Sequence, residues 1–356
     1  MNFKKTCRTA LLAAAVAAAC ASCKKDEETT VLYLSGSLSF DVPSYVKTGS
    51  EITLTASGVT HPEGKPLGIY YRVTPGMEKS DTLDTAFDPE NGVSWKYTVG
   101  DEPQTYTVTC SVFATGYSAS TRSQTMVAVS DRTDGTGSVT GTDFHSGTYS
   151  VCTDERDGKS YFTVTVGGTE WFAQNLAYEG SISGSADESG SGVPYMDIEA
   201  MTNIFGLYYT QEQARNACPD GWELPDGEAW LALAKDAAQK EGLSGDGFSA
   251  GDTFSGIAGA LMVDAVFNTV TMWEYWPQVK ITNSTGFSAL STGFATVSSD
   301  SAPVFGAATQ KAVFWTADTD GDTGIYRYLT VGNPDIYAGR GYESMAASVR
   351  CVKSKN

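Results

Sequence analysis

Between Val31 and Val129, apolar and polar residues alternate with a period of two, the pattern of strands that bury one face. Ile52, Leu54 and Ala56 alternate with threonines, and Trp95, Tyr97 and Val99 alternate with Lys96 and Thr98. Tyr106, Val108, Cys110 and Val112 alternate likewise with Thr105, Thr107, Thr109 and Ser111. Turn signals punctuate the runs at Lys47-Thr48-Gly49, His61-Pro62-Glu63-Gly64 and Gly100-Asp101-Glu102-Pro103. Short strands without a helical period predict an antiparallel β-sandwich over 31–129, similar at the level of pattern to immunoglobulin-like or PKD-like modules. Cys110 shares a face with Tyr106 and Val108, which predicts a buried thiol that packs as a small hydrophobe. Residues 130–147 are rich in Gly, Ser, Thr and Asp and read as a linker.

From 148 onward the period changes. Residues 161–166 predict a strand, Gly167-Gly168 a turn and 171–176 a second short strand. Thr210-Gln211-Glu212-Gln213 has capping-box spacing and predicts a helix to about Ala217, stopped by Cys218-Pro219-Asp220-Gly221. Asp226 can cap a second helix carrying Glu228, Trp230, Leu231, Leu233 and Ala234, ended near Gly242. Strands are expected again at 287–290, 312–316, 325–331 and 346–352.

The N-terminus changes the picture of where the protein acts. Lys4, Lys5 and Arg8 precede an apolar run from Leu11 to Ala19, which is shorter than the roughly 20 residues that cross a bilayer. Residues 1–22 read as a secretion signal. The segment Ala19-Cys20-Ala21-Ser22-Cys23 puts small residues directly before a cysteine and resembles a bacterial lipobox, with Cys23 as the lipidation site and Cys20 as the alternative. The run at 23–30, with Lys24, Lys25, Asp26, Glu27 and Glu28, is a charged tether. It is similar to the export signal that takes lipoproteins to the outer face of Bacteroidetes-type cells. The expected location is therefore the outer membrane, lipid-anchored and facing the exterior, with the membrane contacted through the acyl chains alone.

Composition supports a folded chain of about two domains: 356 residues, 41% hydrophobic and 11% aromatic. The 24 basic against 42 acidic residues, net −18, repel a phosphate backbone and argue against a nucleic-acid partner. Of seven cysteines, Cys7 and Cys20 leave with the leader and Cys23 is acylated, so Cys110, Cys152, Cys218 and Cys351 remain, with three ways of pairing. Among those four there is no Cys-x-x-Cys, and His61 and His145 are the only histidines, which argues against a zinc site. The same scarcity leaves a Ser or Cys nucleophile in the C-terminal part without a histidine base.

Eight motifs then occur in one order. They are Asp157-Gly158-x-x-Tyr161, Trp171-x-Ala173-x-Asn175-Leu176, Gly206-x-Tyr208-Tyr209-Thr210, Ala217-Cys218-Pro219-x-Gly221-Trp222-x-Leu224-Pro225, Glu228-x-Trp230, Gly286-Phe287-Ser288-Ala289-Leu290, Phe314-Trp315-Thr316 and Ser348-Val349-Arg350-Cys351-Val352. Together they resemble the Fibrobacter succinogenes major paralogous domain family over 148–356. That resemblance implies an α+β C-type lectin-like fold, in which a first-helix cysteine bridges to the last strand; Cys218 and Cys351 stand in the matching positions. The sugar-binding motifs of calcium-dependent lectins are absent, and Asn333-Pro334-Asp335 echoes one only in part.

Two constellations carry candidate chemistry. Asp318, Asp320 and Asp322 alternate around glycine and can wrap a hard cation such as Ca2+, although Leu329 stands where an EF-hand needs its bidentate glutamate; an acidic hairpin turn is the other reading. Trp273, Tyr275 and Trp276 form an aromatic trio that can stack on sugar rings or pack as core. Recognition is expected in the glycine-rich stretches 242–286, 318–324 and 332–341. The expected function is non-catalytic recognition of an extracellular glycan or protein ligand, with no resident cofactor. A structural subunit of a surface appendage or adhesin layer, or a secreted hydrolase, is the alternative.

Overall fold

Threonine-rich alternation does become strands, and the computed structural model describes them within residues 31–82, 90–129, 139–140, 149–182, 191–267, 270–273 and 279–354. Cys20, Cys23, the tether and all of the linker but two residues lie outside the described part. In the N-terminal unit, Ser35–Asp41, Glu51–Thr60 and Val93–Thr98 form one antiparallel sheet. Tyr45–Lys47, Ser120–Val129, Gln104–Phe113, Gly68–Thr74 and Met77–Thr82 form a second. The predicted inward residues line one core: Leu54, Ala56, Val108, Cys110 and Val112 are inaccessible to solvent. Tyr71 of one sheet meets Trp95 of the other with ring centroids 3.5 Å apart. Burial pushes the Cys110 thiol up to about 12, so it stays protonated and packs as a hydrophobe.

Within the expected linker, Val139–Thr140 pairs with Val266–Phe267, so this stretch adds an edge strand to the C-terminal domain. The two units also share an apolar contact. Val127 and Val129 of the long strand Ser120–Val129 pack with Met201, Ile204 and Phe205, and the Tyr45 ring lies 6.0 Å from Phe267.

The helices begin where their caps predict. Thr210 Oγ1 accepts from the Gln213 N–H and Gln213 Oε1 accepts from the Thr210 N–H, which opens the helix Gln211–Ala217. Asp226 Oδ1 accepts from the Ala229 N–H at 2.8 Å and opens the helix Gly227–Lys240. Trp230, Leu233, Ala234 and Ala237 of the latter are fully buried, at the helical spacing of one face. Around the helices, among the described residues, lie two five-stranded sheets and two three-stranded ones, one of Val139–Thr140, Val266–Phe267 and Val270–Thr271 and the other of Lys311–Asp320, Thr323–Thr330 and Asn333–Gly341.

Three expectations change. The segment 287–290 is no strand but a looping segment in which Ala289 makes a single bridge to Met262. The last strand divides into Met345–Ala347 and Val352–Lys353, in different sheets. The glycine-rich 332–341 is not a free loop, because Asn333–Gly341 pairs along Thr323–Thr330.

The first two changes have one cause. Between the halves of the last strand, Arg350 is 1% exposed and its guanidinium donates to Asn175 Oδ1 (2.7 Å), Phe172 O (3.1 Å), Phe287 O (2.8 Å) and Ser288 O (3.0 Å). Ser288 sits at φ +53° to turn its carbonyl inward, and its N–H is held by Asn283 Oδ1. A regular strand at either place would aim those groups at neighbouring strands instead. Next to it, Cys351 is joined to Cys218, closing a sequence separation of 133 that stabilises by up to about 4–5 kcal/mol in the chain-entropy picture. Cys110 and Cys152 are free thiols.

Arg350→Met keeps volume but leaves three buried carbonyls and Asn175 without their donor. We expect a loss of about 3 kcal/mol or more in denaturant unfolding. A midpoint equal to that of the unchanged protein would show that the guanidinium does not hold the domain together.

Candidate functional site

A strand shows alternate side chains on opposite faces, so the middle strand Thr323–Thr330 sorts Ile325, Arg327 and Leu329 to one side and Tyr326, Tyr328 and Thr330 to the other. The first side is core: Leu329 packs with Phe314 and Ile336, and Arg327 lies under Phe254, its guanidinium carbon 4.4 Å from the ring centroid. Burial lowers the Arg327 pKa to about 10 against the opposing pull of Asp318 and Asp252.

The second side carries a row of half-buried tyrosines, of which Tyr326 and Tyr328 pack against a second core that includes the buried Val313 and Trp315. Register places Trp315 opposite Tyr326, and Tyr337 opposite Tyr328. Ring centroids are 5.9 Å apart for Trp315 and Tyr326, 5.9 Å for Tyr326 and Tyr328, and 5.1 Å for Tyr328 and Tyr337, the last pair stacked at 21°. Lys311 Nζ stands 5.4 Å from the Tyr328 centroid. Beyond the row, Tyr342 is 53% exposed and its hydroxyl bonds Thr296 Oγ1 at 2.9 Å. Opposite Tyr326 the third strand carries Gly339, where a Cβ would strike the Tyr326 ring; a Cβ on Gly341 would strike Trp315. Those glycines let the rings lie across the neighbouring strand.

Partial burial raises the pKa of Tyr326, helped by Tyr328 and Tyr342, and that of Tyr328, helped by Tyr337. The phenols are therefore neutral at physiological pH, each offering a donor hydroxyl beside an aromatic face. Flat apolar area with hydroxyls at its edge suits the C–H faces and hydroxyl rims of sugar rings.

The residues anticipated as binders fare differently. Trp273 is 1% exposed, packs in the main core and donates its indole N–H to Ala289 O at 3.0 Å, so it is a core residue and not a stacking platform. Tyr275 and Trp276 lie outside the described residues. Much of 242–286 is core as well, with Phe254, Ile257 and Leu261 fully buried. Asp318, Asp320 and Asp322 do not converge. The pairs Thr319–Gly324 and Asp320–Thr323 make their segment a hairpin turn. Asp320 Oδ2 accepts from Arg340 Nε at 2.6 Å, and Asp318 Oδ2 lies 2.9 Å from where a Cβ on Gly227 would stand, at the head of the helix Gly227–Lys240. Among the described residues no group of three or more His, Cys, Asp or Glu side chains gathers in one place that could hold a metal ion. Tyr326, Tyr328 and Tyr337 were not anticipated. Alternation within 325–331 carries the signal for the first two, whereas Tyr337 joins them only through a register set by the turn at Val331-Gly332.

Comparison with known proteins places the C-terminal part. The family model for the Fibrobacter succinogenes major domain matches residues 164–353. No curated protein matches the chain. Among solved structures, two forms of a superoxide reductase (neelaredoxin) from Ignicoccus hospitalis align at 12% and 10% identity, each over 26% of this chain and 80% of theirs, with a TM-score of 0.20. A likeness of that size carries no argument about fold or activity.

The burial of Trp273 has a direct test. Trp273→Ala should cost about 3–5 kcal/mol of stability, as for a core aromatic. If urea unfolding instead shows a change within about 0.5 kcal/mol, the side chain is exposed in solution and the stacking role returns.

Proposed function

The chain belongs to the Fibrobacter succinogenes major domain family, and on that premise we propose that it is a lipid-anchored surface protein whose C-terminal domain binds a glycan without acting on it. The observation that carries this reading is the half-buried Tyr326–Tyr328–Tyr337 row on one face of the sheet Lys311–Asp320, Thr323–Thr330 and Asn333–Gly341. The domain is read as C-type lectin-like: two capped helices and a disulfide from the end of the first helix to the last strand make a rigid base, on which the sheet presents its rings. The N-terminal unit is read as an immunoglobulin-like spacer that carries the head away from the membrane. Calcium enters only through the acidic hairpin, where it would have to displace Arg340 from Asp320.

A glycan array probed with the extracellular part should give saturable binding to a subset of sugars. Tyr328→Ala and Tyr337→Ala should each weaken it about tenfold, equivalent to about 1.4 kcal/mol, while Tyr328→Phe keeps the ring and most of the affinity. Array silence at every sugar would favour the structural-subunit reading. Equal losses in Tyr328→Phe and Tyr328→Ala would show that the hydroxyl, not the ring face, makes the contact.

The anchor is read at Cys23, with Cys20 as the alternative, and has its own test. Cys23→Ser should release the protein from the membrane fraction. Unchanged partitioning would refute that site, and release only on Cys20→Ser would move it.

A further inference from the structure

Apart from the tyrosine row, a cavity of about 420 Å³ lies where the two units meet. Lys47, at the end of the strand Tyr45–Lys47, supplies one wall; Lys159, Tyr161, Gln174 and Thr202 supply others. The volume falls in the range of small-molecule sites. Its lining is unusual in what it offers, because the polar groups still unused are mostly donors.

Gln174 Oε1 accepts from the Phe162 N–H at 2.7 Å, and its Nε2 donates to no described residue. Tyr161 Oη accepts from the Ala177 N–H at 3.1 Å and passes its own proton to no described residue. Burial holds that phenol protonated. Thr202 is 2% exposed and its hydroxyl has no partner among the described residues. Asn175, by contrast, is fully engaged with Phe205, Ser348 and Arg350 and serves only as wall. Lys159 Nζ bonds Ala177 O at 2.5 Å and stands 3.5 Å from Glu179. Two lysines, Lys47 and Lys159, therefore line one small cavity in a chain whose net charge is −18.

A buried hydroxyl without a partner, as at Thr202, costs free energy, and an occupant rich in acceptors would offset it while also meeting the Gln174 and Tyr161 donors. We propose that this cavity binds a small hydroxylated carboxylate of the size of an acidic monosaccharide, with the carboxylate between Lys47 and Lys159 and its hydroxyl and ring oxygens facing Tyr161, Gln174 and Thr202. The proposal does not rest on the tyrosine row. Since Lys47 belongs to the N-terminal unit and the other groups to the C-terminal domain, such a ligand also ties the two units together.

Isothermal titration of the full chain in detergent, with D-glucuronate as probe and D-glucose and acetate as comparators, tests it. Glucuronate should bind saturably and more weakly as salt rises, glucose should not bind, and acetate should bind at least about tenfold more weakly than glucuronate. Lys47→Gln and Lys159→Gln should each lower the glucuronate affinity about tenfold; Lys47 is exposed, so its replacement leaves folding intact and keeps the test decisive if the other variant unfolds. Tyr337→Ala should change nothing. Absence of saturable glucuronate binding at millimolar concentration, equal binding of glucose, or indifference to Lys47→Gln would overturn the proposal. Loss on Tyr337→Ala would place the ligand on the tyrosine row instead and overturn it equally.

Discussion

A buried guanidinium is the constraint around which the C-terminal domain is arranged. Arg350 reaches the carbonyls of Phe172, Phe287 and Ser288 and the amide of Asn175. It also lies 4.8 Å from the Phe287 ring centroid and 5.5 Å from that of Phe314. An arginine can be taken out of water only if its planar donors meet oxygens fixed at the right distance and angle. The segments around Phe172, Phe287 and Arg350 are thus held together though far apart in sequence. Asn175 extends the network by donating to Phe205 O and Ser348 Oγ. Several of the ordered motifs in the sequence meet at this one point, which gives a physical reason for their residue types: a side-chain amide, an arginine, two phenylalanines to cover it and a serine able to turn its carbonyl.

The irregular backbone follows from the same constraint. A strand running unbroken from Met345 to Lys353 would place Arg350 in a ladder; breaking it aims the side chain inward and passes Cys351 to its bridge with Cys218. The cost in backbone pairing is recovered locally, since the Leu176 N–H donates to Val349 O and the Phe172 N–H to Cys351 O. Disulfide and guanidinium act on adjacent residues, so the end of the first helix and the edges of two sheets are fixed to one centre.

How much of this was legible depended on how local the physics is. Caps were readable because Thr210 and Gln213, or Asp226 and Ala229, satisfy each other within one turn. Sandwich strands were readable because Tyr106, Val108, Cys110 and Val112 repeat every second position and are buried together. The broken last strand was not, for nothing in Val349-Arg350-Cys351-Val352 shows that the arginine meets carbonyls contributed from Phe172 and Phe287. Trp273 left a stacking role and a core role both open for a related reason. An apolar ring has no local mark of burial, and Trp273 is enclosed by residues such as Phe287 and Ala289 that arrive from elsewhere in the chain. Likewise, glycines at 339 and 341 suggested a free loop, whereas they are spaces left for Tyr326 and Trp315 in a paired strand.

The tyrosine row and the core are tied by strand parity. On the strand Thr323–Thr330, a slip of one position would carry Arg327 and Leu329 outward and press Tyr326 and Tyr328 into the space that holds Phe314 and Ile336. Three features oppose the slip: Trp315 donates its indole N–H to Tyr209 O at 2.7 Å, Gly341 leaves room for that indole alone, and Arg327 donates to Asp252 O beneath the Phe254 ring. The interactions that fix the core therefore also fix the side of the sheet on which the Tyr326, Tyr328 and Tyr337 rings lie. On that side Tyr326 and Tyr328 also pack against the buried Val313 and Trp315, so the two rings are held by a core on their own face as well as by the strand register.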